Sequence, residues 1–307
     1  MKELTKFMIF ILLMTVWFSC DNAQQDKHTN SQAKNITLPK PDHIVILMEE
    51  NHGYDQIIGS PHTPYINELA ERGASFTDAH GIVHPSQPNY IGLFSGDLQG
   101  VTGDECLKDS VTFTTPNLGR ALIDAEYSFT GYAQTMPHPG FTGCTYGRSE
   151  LNGGYLYARK HCPWVNWQGD GENGLNGDSV SLPMSEFPSD FTQLPTVAMV
   201  VPDCDHDMHN YGGLPEMIKK GDQWVKDNLS DYIEWADTHN SLFILTFDED
   251  NDTWENRIPT IFTGEMVRPG QYDDSISLYN ILRTVEQMYK LPASGDVEAP
   301  AITSVWK

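Results

Sequence analysis

The 307-residue chain predicts an α/β sandwich, and three observations carry that reading. The first is a set of short unbroken apolar runs at residues 43–48 (HIVILM), 196–201 (TVAMVV) and 241–246 (SLFILT), the mark of strands buried on both faces of a parallel sheet. The second is a set of helical patterns at 63–72, 89–93, 117–125, 221–236 and 278–289, alternating with those runs, so that helices are expected to cover the sheet. The third is that each run leads directly into acidic residues: Glu49, Glu50 and Asn51; the stretch 202–209 (PDCDHDMH); and Asp248, Glu249 and Asp250. Ligands of open α/β sheets gather beyond the carboxyl ends of the strands, so these three clusters are expected to converge in space.

Composition narrows the function. With 42 acidic against 19 basic residues the net charge is -23, which repels a polyphosphate backbone and argues against nucleic acid as the main partner. Hydrophobic residues at 39% supply a sizeable core, which rules out a disordered chain. An acidic protein still handles anionic substrates when a bound cation reverses the local field, so the carboxylates direct attention to metal ligands.

Taken in order, residues 1–19 read as a signal peptide: Lys2 and Lys6, an apolar run at 7–18, then Ser19 before Cys20. That pattern fits acylation of Cys20 and a lipoprotein, the alternative being cleavage a few residues later and secretion. Residues 20–40 are polar and aperiodic and are expected to be a flexible tether, followed by a single domain at 41–307. Within it, residues 136–183 are rich in glycine and aromatics without periodicity and read as long active-site loops. Four cysteines remain after Cys20. In an oxidising compartment they suggest two disulfides, expected as Cys106 with Cys144 and Cys162 with Cys204, against the alternative of buried free thiols.

The stretch 84–90 (HPSQPNY) carries the clearest chemistry. Pro88 suits the first turn of a helix, which places Ser86 at a helix start, where free amides and the positive dipole end favour an anion. Ser86 is then a candidate nucleophile or a plain cap. No Gly-x-Ser-x-Gly elbow surrounds it, so its activator is expected to be a metal ion rather than a hydrolase triad.

Five motifs occur together and in order: 48–52 (MEENH), 84–90 (HPSQPNY), 158–164 (ARKHCPW), 207–209 (DMH), and 247–250 (FDED) with 256–259 (NRIP). As a set they resemble the phosphoesterase family of bacterial acid phosphatases and phospholipases C, within the alkaline phosphatase superfamily. They look most like its mycobacterial secreted acid phosphatase branch, known for phosphatidylinositol 3-phosphate phosphatase activity. The resemblance spans about residues 42–292. It implies a three-layer α/β/α sandwich around a mostly parallel sheet and metal-dependent phosphoryl transfer through a phosphoserine. Carried over by residue, Ser86 resembles the nucleophile and a metal ligand, and Glu50, Asp248 and Glu249 the other ligands. Asn51 and Asn89 look like a clamp on the phosphate oxygens. His161 resembles the group that meets the phosphate or protonates the leaving alkoxide, with Arg159 and Lys160 beside it as a basic lip. Asp207 and His209 match an element that holds a second cation or orients His161, with Asp203 and His84 as further neighbours.

Oxygen ligands of this kind suit Ca2+, Mg2+, Mn2+ or Fe. Relatives commonly carry a histidine where this chain has Leu278, so one metal per chain is the preferred expectation. The expected activity is that of an acid phosphatase-type phosphomonoesterase acting on a phosphorylated small molecule or a phospholipid head group. The alternatives are a phospholipase C-type phosphodiesterase and a non-catalytic metal-binding surface lipoprotein. The expected location is the periplasm or cell surface, with membrane contact only through the Cys20 anchor. The Cys-x-Pro-x-Arg motif of sulfatases is absent.

Overall fold

All three apolar runs form strands, and they lie side by side in the middle of one sheet. The computed structural model describes residues 37–107, 112–151, 153–209 and 215–307; the expected signal peptide, Cys20 and the tether up to residue 36 lie outside the described residues. In chain order the strands are β1 (His43–Glu49), β2 (Ala74–His80), β3 (Phe129–Ala133), β4 (Thr145–Tyr146), β5 (Tyr157–Ala158), β6 (Ser181–Pro183), β7 (Val197–Val201), β8 (Ser241–Phe247), β9 (Arg257–Thr263), β10 (Gly270–Tyr272) and β11 (Ile276–Ser277). The helices are α1 (Tyr54–Ile57), α2 (Pro64–Arg72), α3 (Ser86–Ser95), α4 (Leu118–Asp124), α5 (Gly177–Val180), α6 (Pro215–Ala236) and α7 (Leu278–Tyr289).

The main sheet runs β10-β2-β9-β8-β1-β7-β3-β6, with β11 also paired to β2. Only β9 runs against its neighbours, β2 and β8. β1 pairs in parallel with both β7 and β8, and nearly every side chain of these three strands is buried, which is why they read as continuous apolar runs. One group of helices, α2 and α6, packs together and against β2, β8 and β9; another, α3, α4 and α7, packs together with α4 on β3. This is the expected α/β sandwich around a mostly parallel sheet.

Strands β2, β3 and β9 escape a search for apolar runs, each for a reason. β2 (ASFTDAH) is polar at Thr77 and Asp78, and its register shifts between Phe76 and Ala79, opposite Pro259 of β9. An irregular site of that kind is where a strand tolerates proline, since no ladder donor is needed there. β3 holds Gly131, where an added Cβ would lie 2.1 Å from the Trp164 ring; the indole lies directly on the strand backbone. Residues 136–183, expected as long active-site loops, also contribute to the core. They bury Trp164 and Trp167, whose Nε1 groups donate to Ser181 Oγ (3.0 Å) and Thr115 O (2.8 Å).

Cys106 and Cys144 form the expected disulfide. The expected Cys162–Cys204 bridge is not made: both are buried free thiols. Cys162 turns its Sγ toward Ala158 O, whereas Cys204 lies beside His161 and Asp207.

Candidate active site

The register of β1 on β8 assembles the first wall. Met48 pairs with Thr246 and Glu49 with Phe247, so the next residues on each chain, Glu50 and Asp248, leave the sheet side by side. The Asp248 amide donates to Glu49 O (3.0 Å), and the Glu50 amide donates to Asp207 O (2.8 Å) in the turn that follows β7. The three acidic clusters thus meet beyond the carboxyl ends of the central strands. The amino end of α3 brings Ser86 to the same point, and the His84–Pro85 bond before it is cis.

Ser86 Oγ lies 3.0 Å from Glu50 Oε2 and 3.1 Å from Glu249 Oε1. A hydroxyl has one proton, so it satisfies one of these carboxylates and faces the other oxygen to oxygen. Asp248 Oδ1 accepts from the amides of Asn51 (3.0 Å) and Glu249 (2.7 Å), which leaves Oδ2 buried without a hydrogen-bond partner. Asn51 sits at φ 49°, a left-handed conformation that asparagine tolerates well, and donates Nδ2 to Glu249 Oε1 (2.8 Å). Its own Oδ1 is buried and unpartnered. Glu50, Asp248, Glu249, the Ser86 hydroxyl and the Asn51 carbonyl together make an all-oxygen donor set with orphaned acceptors, which fits a hard divalent cation.

The charges are consistent with that fit. Burial, then Glu50 and Glu249, push the Asp248 carboxyl well above its usual range. Glu249 is also raised, chiefly by burial, although His84 Nδ1 contacts its Oε2 at 2.5 Å. Burial opposes the charge of Glu50 as well, but His161, Lys160, His209 and the Tyr90 hydroxyl (2.7 Å to Oε1) outweigh it and hold that carboxyl well below the usual range. Burial pushes His161 down to about 4 against the pull of Glu50, so at neutral pH its imidazole is uncharged. Lys160 is then the cation facing Glu50. Despite burial, Glu50 and Asp104 raise its pKa.

Several expected roles change. Asn89 is no clamp: its Nδ2 donates to Val83 O and Pro85 O, and its Oδ1 accepts from the Ile82 and Val83 amides, so the side chain is spent on shaping the loop before Ser86. Asn51 gives one of its two Nδ2 hydrogens to Glu249 Oε1, which leaves one N–H for a phosphate oxygen. Arg159 does not form a lip: it is buried, with Nη1 on Thr142 O (2.7 Å) and Nη2 near Asn166 Oδ1 (3.4 Å). His161 is likewise buried, stacked on Tyr90 with ring centroids 5.1 Å apart, its Nε2 3.1 Å from Glu50 Oε1 and its Nδ1 3.8 Å from Asp207 Oδ2. A neutral, enclosed imidazole is a poor standing acid. Asp203 accepts from Thr135 Oγ1 (2.6 Å), the Asp205 amide and His206 Nδ1 (2.7 Å), so it closes its own turn rather than entering the pocket. His209 donates its amide to Asp207 Oδ1 (2.9 Å), with its ring close enough to Glu50 to influence it. Leu278 is buried at the start of α7.

Three further residues reach the site. Tyr90 lies inside a quoted motif without an assigned role, and Cys204 was expected in a disulfide with Cys162 rather than beside His161. Asp104 has no motif around it: its Oδ1 accepts from the Gln87 amide (2.9 Å) in the first turn of α3 and its Oδ2 from Lys160 Nζ (2.5 Å). A carboxylate therefore rests where the helix start and a lysine would receive an anion.

Against known proteins, the model of the Phosphoesterase family matches residues 60–292. The chain belongs to that family. It is accordingly a hydrolase acting on phosphoric esters. The chain is 42% identical over 272 residues to the phosphatidylinositol-3-phosphatase of Mycobacterium tuberculosis, covering 88% of this chain and 84% of that one. It is 29% identical over 266 residues to a probable acid phosphatase of Kluyveromyces lactis, covering 81% of this chain and 58% of that one. A crystal structure of an alkaline phosphatase superfamily protein from Vibrio parahaemolyticus superposes with a TM-score of 0.57 at 14% identity, over 82% of this chain and 67% of that one. That likeness speaks for the fold alone.

Proposed function

We propose that this phosphoesterase is a metal-dependent phosphomonoesterase of the acid phosphatase type that works through a phosphoserine at Ser86. The observation that carries the reading is the Ser86 hydroxyl set between Glu50 and Glu249, 3.0 and 3.1 Å away, with Asp248 beside them. A divalent ion held by Ser86, Glu50, Asp248, Glu249 and the Asn51 carbonyl would supply the positive charge that lets the serine oxygen act as an alkoxide near neutral pH.

The chain's own groups do the rest. The start of α3 and the Lys160 ammonium receive the phosphate oxygens after displacing Asp104. Ser86 Oγ forms a bond to phosphorus as the ester oxygen departs and takes a proton from solvent, and its own proton has passed to a pocket carboxylate. Water then attacks phosphorus, the P–Oγ bond breaks, and serine and inorganic phosphate are restored. Tyr90 and His161 hold Glu50 in place through the 2.7 Å hydrogen bond and the ring stack.

The 42% identical relative is named for phosphatidylinositol 3-phosphate, which makes an inositol lipid monophosphate the first natural substrate to test. Export as a lipoprotein acylated at Cys20 belongs to the same reading. The deciding experiment compares the full chain with Ser86→Ala on p-nitrophenyl phosphate, with chelator and after return of Ca2+, Mg2+ or Mn2+. Activity should need the ion and fall by about 10^3-fold or more in the variant, with a trapped phosphoenzyme only in the parent. Full activity in Ser86→Ala would refute the phosphoserine route. Faster turnover of bis-p-nitrophenyl phosphate would transfer the reading to a diesterase.

A further inference from the structure

Among the described residues, the large apolar side chains exposed to solvent are Trp254 (91%), Tyr146 (49%), Leu151 (48%) and Tyr155 (37%). Single exposed apolar residues scatter over any surface, but these lie on only two segments, and both lead into the active site. Trp254 stands in the loop that joins Glu249 to β9, and the other three stand in the hairpin of β4 and β5, which runs directly into Lys160 and His161. The Trp254 loop is held by hydrogen bonds on both sides. Asp250 Oδ1 accepts from the Thr253 amide (2.8 Å), the Asp250 amide donates to Asn256 Oδ1 (2.8 Å), and Asn256 Nδ2 donates to Val83 O (3.1 Å) in the stretch before Ser86. The Thr253 carbonyl lies 3.0 Å from His84 Nε2, and His84 in turn meets Glu249, which meets Ser86 Oγ. Only the side chains of His84 and Glu249 therefore separate the backbone beside Trp254 from Ser86. On the loop wall, Leu156 fixes the backbone next to Tyr155, its amide donating to Tyr146 O (3.1 Å) and its carbonyl accepting from the Cys204 amide (2.9 Å). Burial raises the Tyr155 phenol against the pull of Lys160, and Asp104 and Glu50 also act on it, so its hydroxyl lies within electrostatic reach of the Lys160–Asp104 pair.

We infer that Trp254 and Tyr155 form an aromatic rim that binds the leaving group, so that the enzyme selects phosphomonoesters of ring alcohols, phenol or cyclitol, over those of small open-chain alcohols. The organic part of an ester held at Ser86 and Lys160 has to leave the pocket between the two segments that carry these side chains. A ring offers a broad face to an indole or a phenol, a contact that a short open chain does not make. Loops already fixed by hydrogen bonds keep the ordering cost of that contact low. Exposed side chains on a structured loop next to reacting groups are also the usual place for residues that choose a substrate. The inference rests on the phosphomonoesterase reading and adds to it the class of leaving group.

The test compares the full chain, supplied with divalent ion, with Trp254→Ala, Trp254→Phe and Tyr155→Leu on phenyl phosphate, myo-inositol 1-phosphate and isopropyl phosphate, the last of which has no ring. In Trp254→Ala and Tyr155→Leu the preference in kcat/KM for the ring esters over isopropyl phosphate should fall about fivefold, chiefly through KM, and Trp254→Phe should keep most of it. A loss confined to the phenyl or the inositol ester would assign the rim to that kind of ring. Trp254 is 91% exposed, so its substitution leaves the packing of the domain intact. A second measurement needs no turnover: p-nitrobenzylphosphonate, which is not hydrolysed, should quench the tryptophan emission of the parent saturably, and Trp254→Phe should lose most of that quenching. An unaltered ring preference in both Trp254→Ala and Tyr155→Leu would overturn the inference, as would quenching that survives in Trp254→Phe. So would a loss seen only on esters embedded in vesicles, the mark of a membrane contact. Quenching without ion-dependent turnover would support the rim and refute the phosphomonoesterase reading alone.

Discussion

The two walls of the active site are built differently. One wall is made by strand ends: Glu50 follows β1, Asp248 and Glu249 follow β8, and their positions follow from sheet register and backbone hydrogen bonds. The other is made by loops: Asp104 comes from the segment that ends at the Cys106–Cys144 disulfide, and Lys160 and His161 come from a short 3-10 turn packed on α3. Strand ends hold a dense set of like charges rigidly, which suits a cation. Loops hold a pairing of opposite charges that an incoming anion can replace. Under the proposed function, the difference assigns activation to the sheet wall and anion selectivity to the loop wall.

Substitution of the two walls should separate them by magnitude. Glu50→Gln is expected to lower kcat/KM by about 10^3-fold or more, because it removes a ligand and the acceptor for Tyr90, whereas Lys160→Ala should cost about 10^2-fold. Steady-state kinetics on purified variants checks both, and equal losses would erase the distinction between the walls.

A smaller effect should appear in stability. The carboxyls of Glu49, Asp207 and Asp248 are raised well above their ordinary values, first by burial and then by neighbouring carboxylates. A raised folded-state value means that the folded chain binds more protons than the unfolded one. Their contribution to stability is therefore complete below the ordinary carboxyl range near pH 4 and is lost as pH rises. Glu50 and the buried histidines His52, His161 and His209, whose values burial lowers, have the opposite sign. The loss at Glu50 occurs only as pH falls below that range, whereas the histidine contribution grows toward neutrality and offsets only part of the carboxyl effect, because the three carboxyls are the more strongly shifted groups. In chelator, the Tm should therefore fall between about pH 4.5 and 7.5, and divalent ion should restore more of it at the upper end than at the lower. Scanning calorimetry checks this; a chelated protein that grows more stable toward neutrality would contradict it.

The smallest expected change tests the loop wall alone. Asp104→Asn removes the charge that competes for Lys160 and the Gln87 amide. Inorganic phosphate should then inhibit a few-fold more tightly, with kcat little altered. Weaker inhibition would mean that Asp104 positions Lys160 rather than competing with the anion.

Residue type and order alone determined the sandwich, its three central strands, the helices that cover them and the convergence of the acidic clusters that follow β1, β7 and β8, while the meeting of Ser86 with Glu50, Asp248 and Glu249 followed from the family resemblance of the motifs. A strand buried on both faces must be continuously apolar, and a strand end is a fixed address in such a sheet. Tertiary structure alone decided what the amides and basic groups do. Asn89 and Arg159 look like ligand-binding residues in a motif, yet the Asn89 donors are consumed by Val83 and Pro85, and Arg159 is buried with its guanidinium turned to Thr142 and Asn166, partners that folding supplies. The same holds for Asp104, which no local pattern marks, and for Cys204, whose sulfur meets His161 and Asp207 instead of Cys162. Hydrogen-bond partners and thiol pairings depend on distances between remote segments, and those distances exist only once the chain has packed.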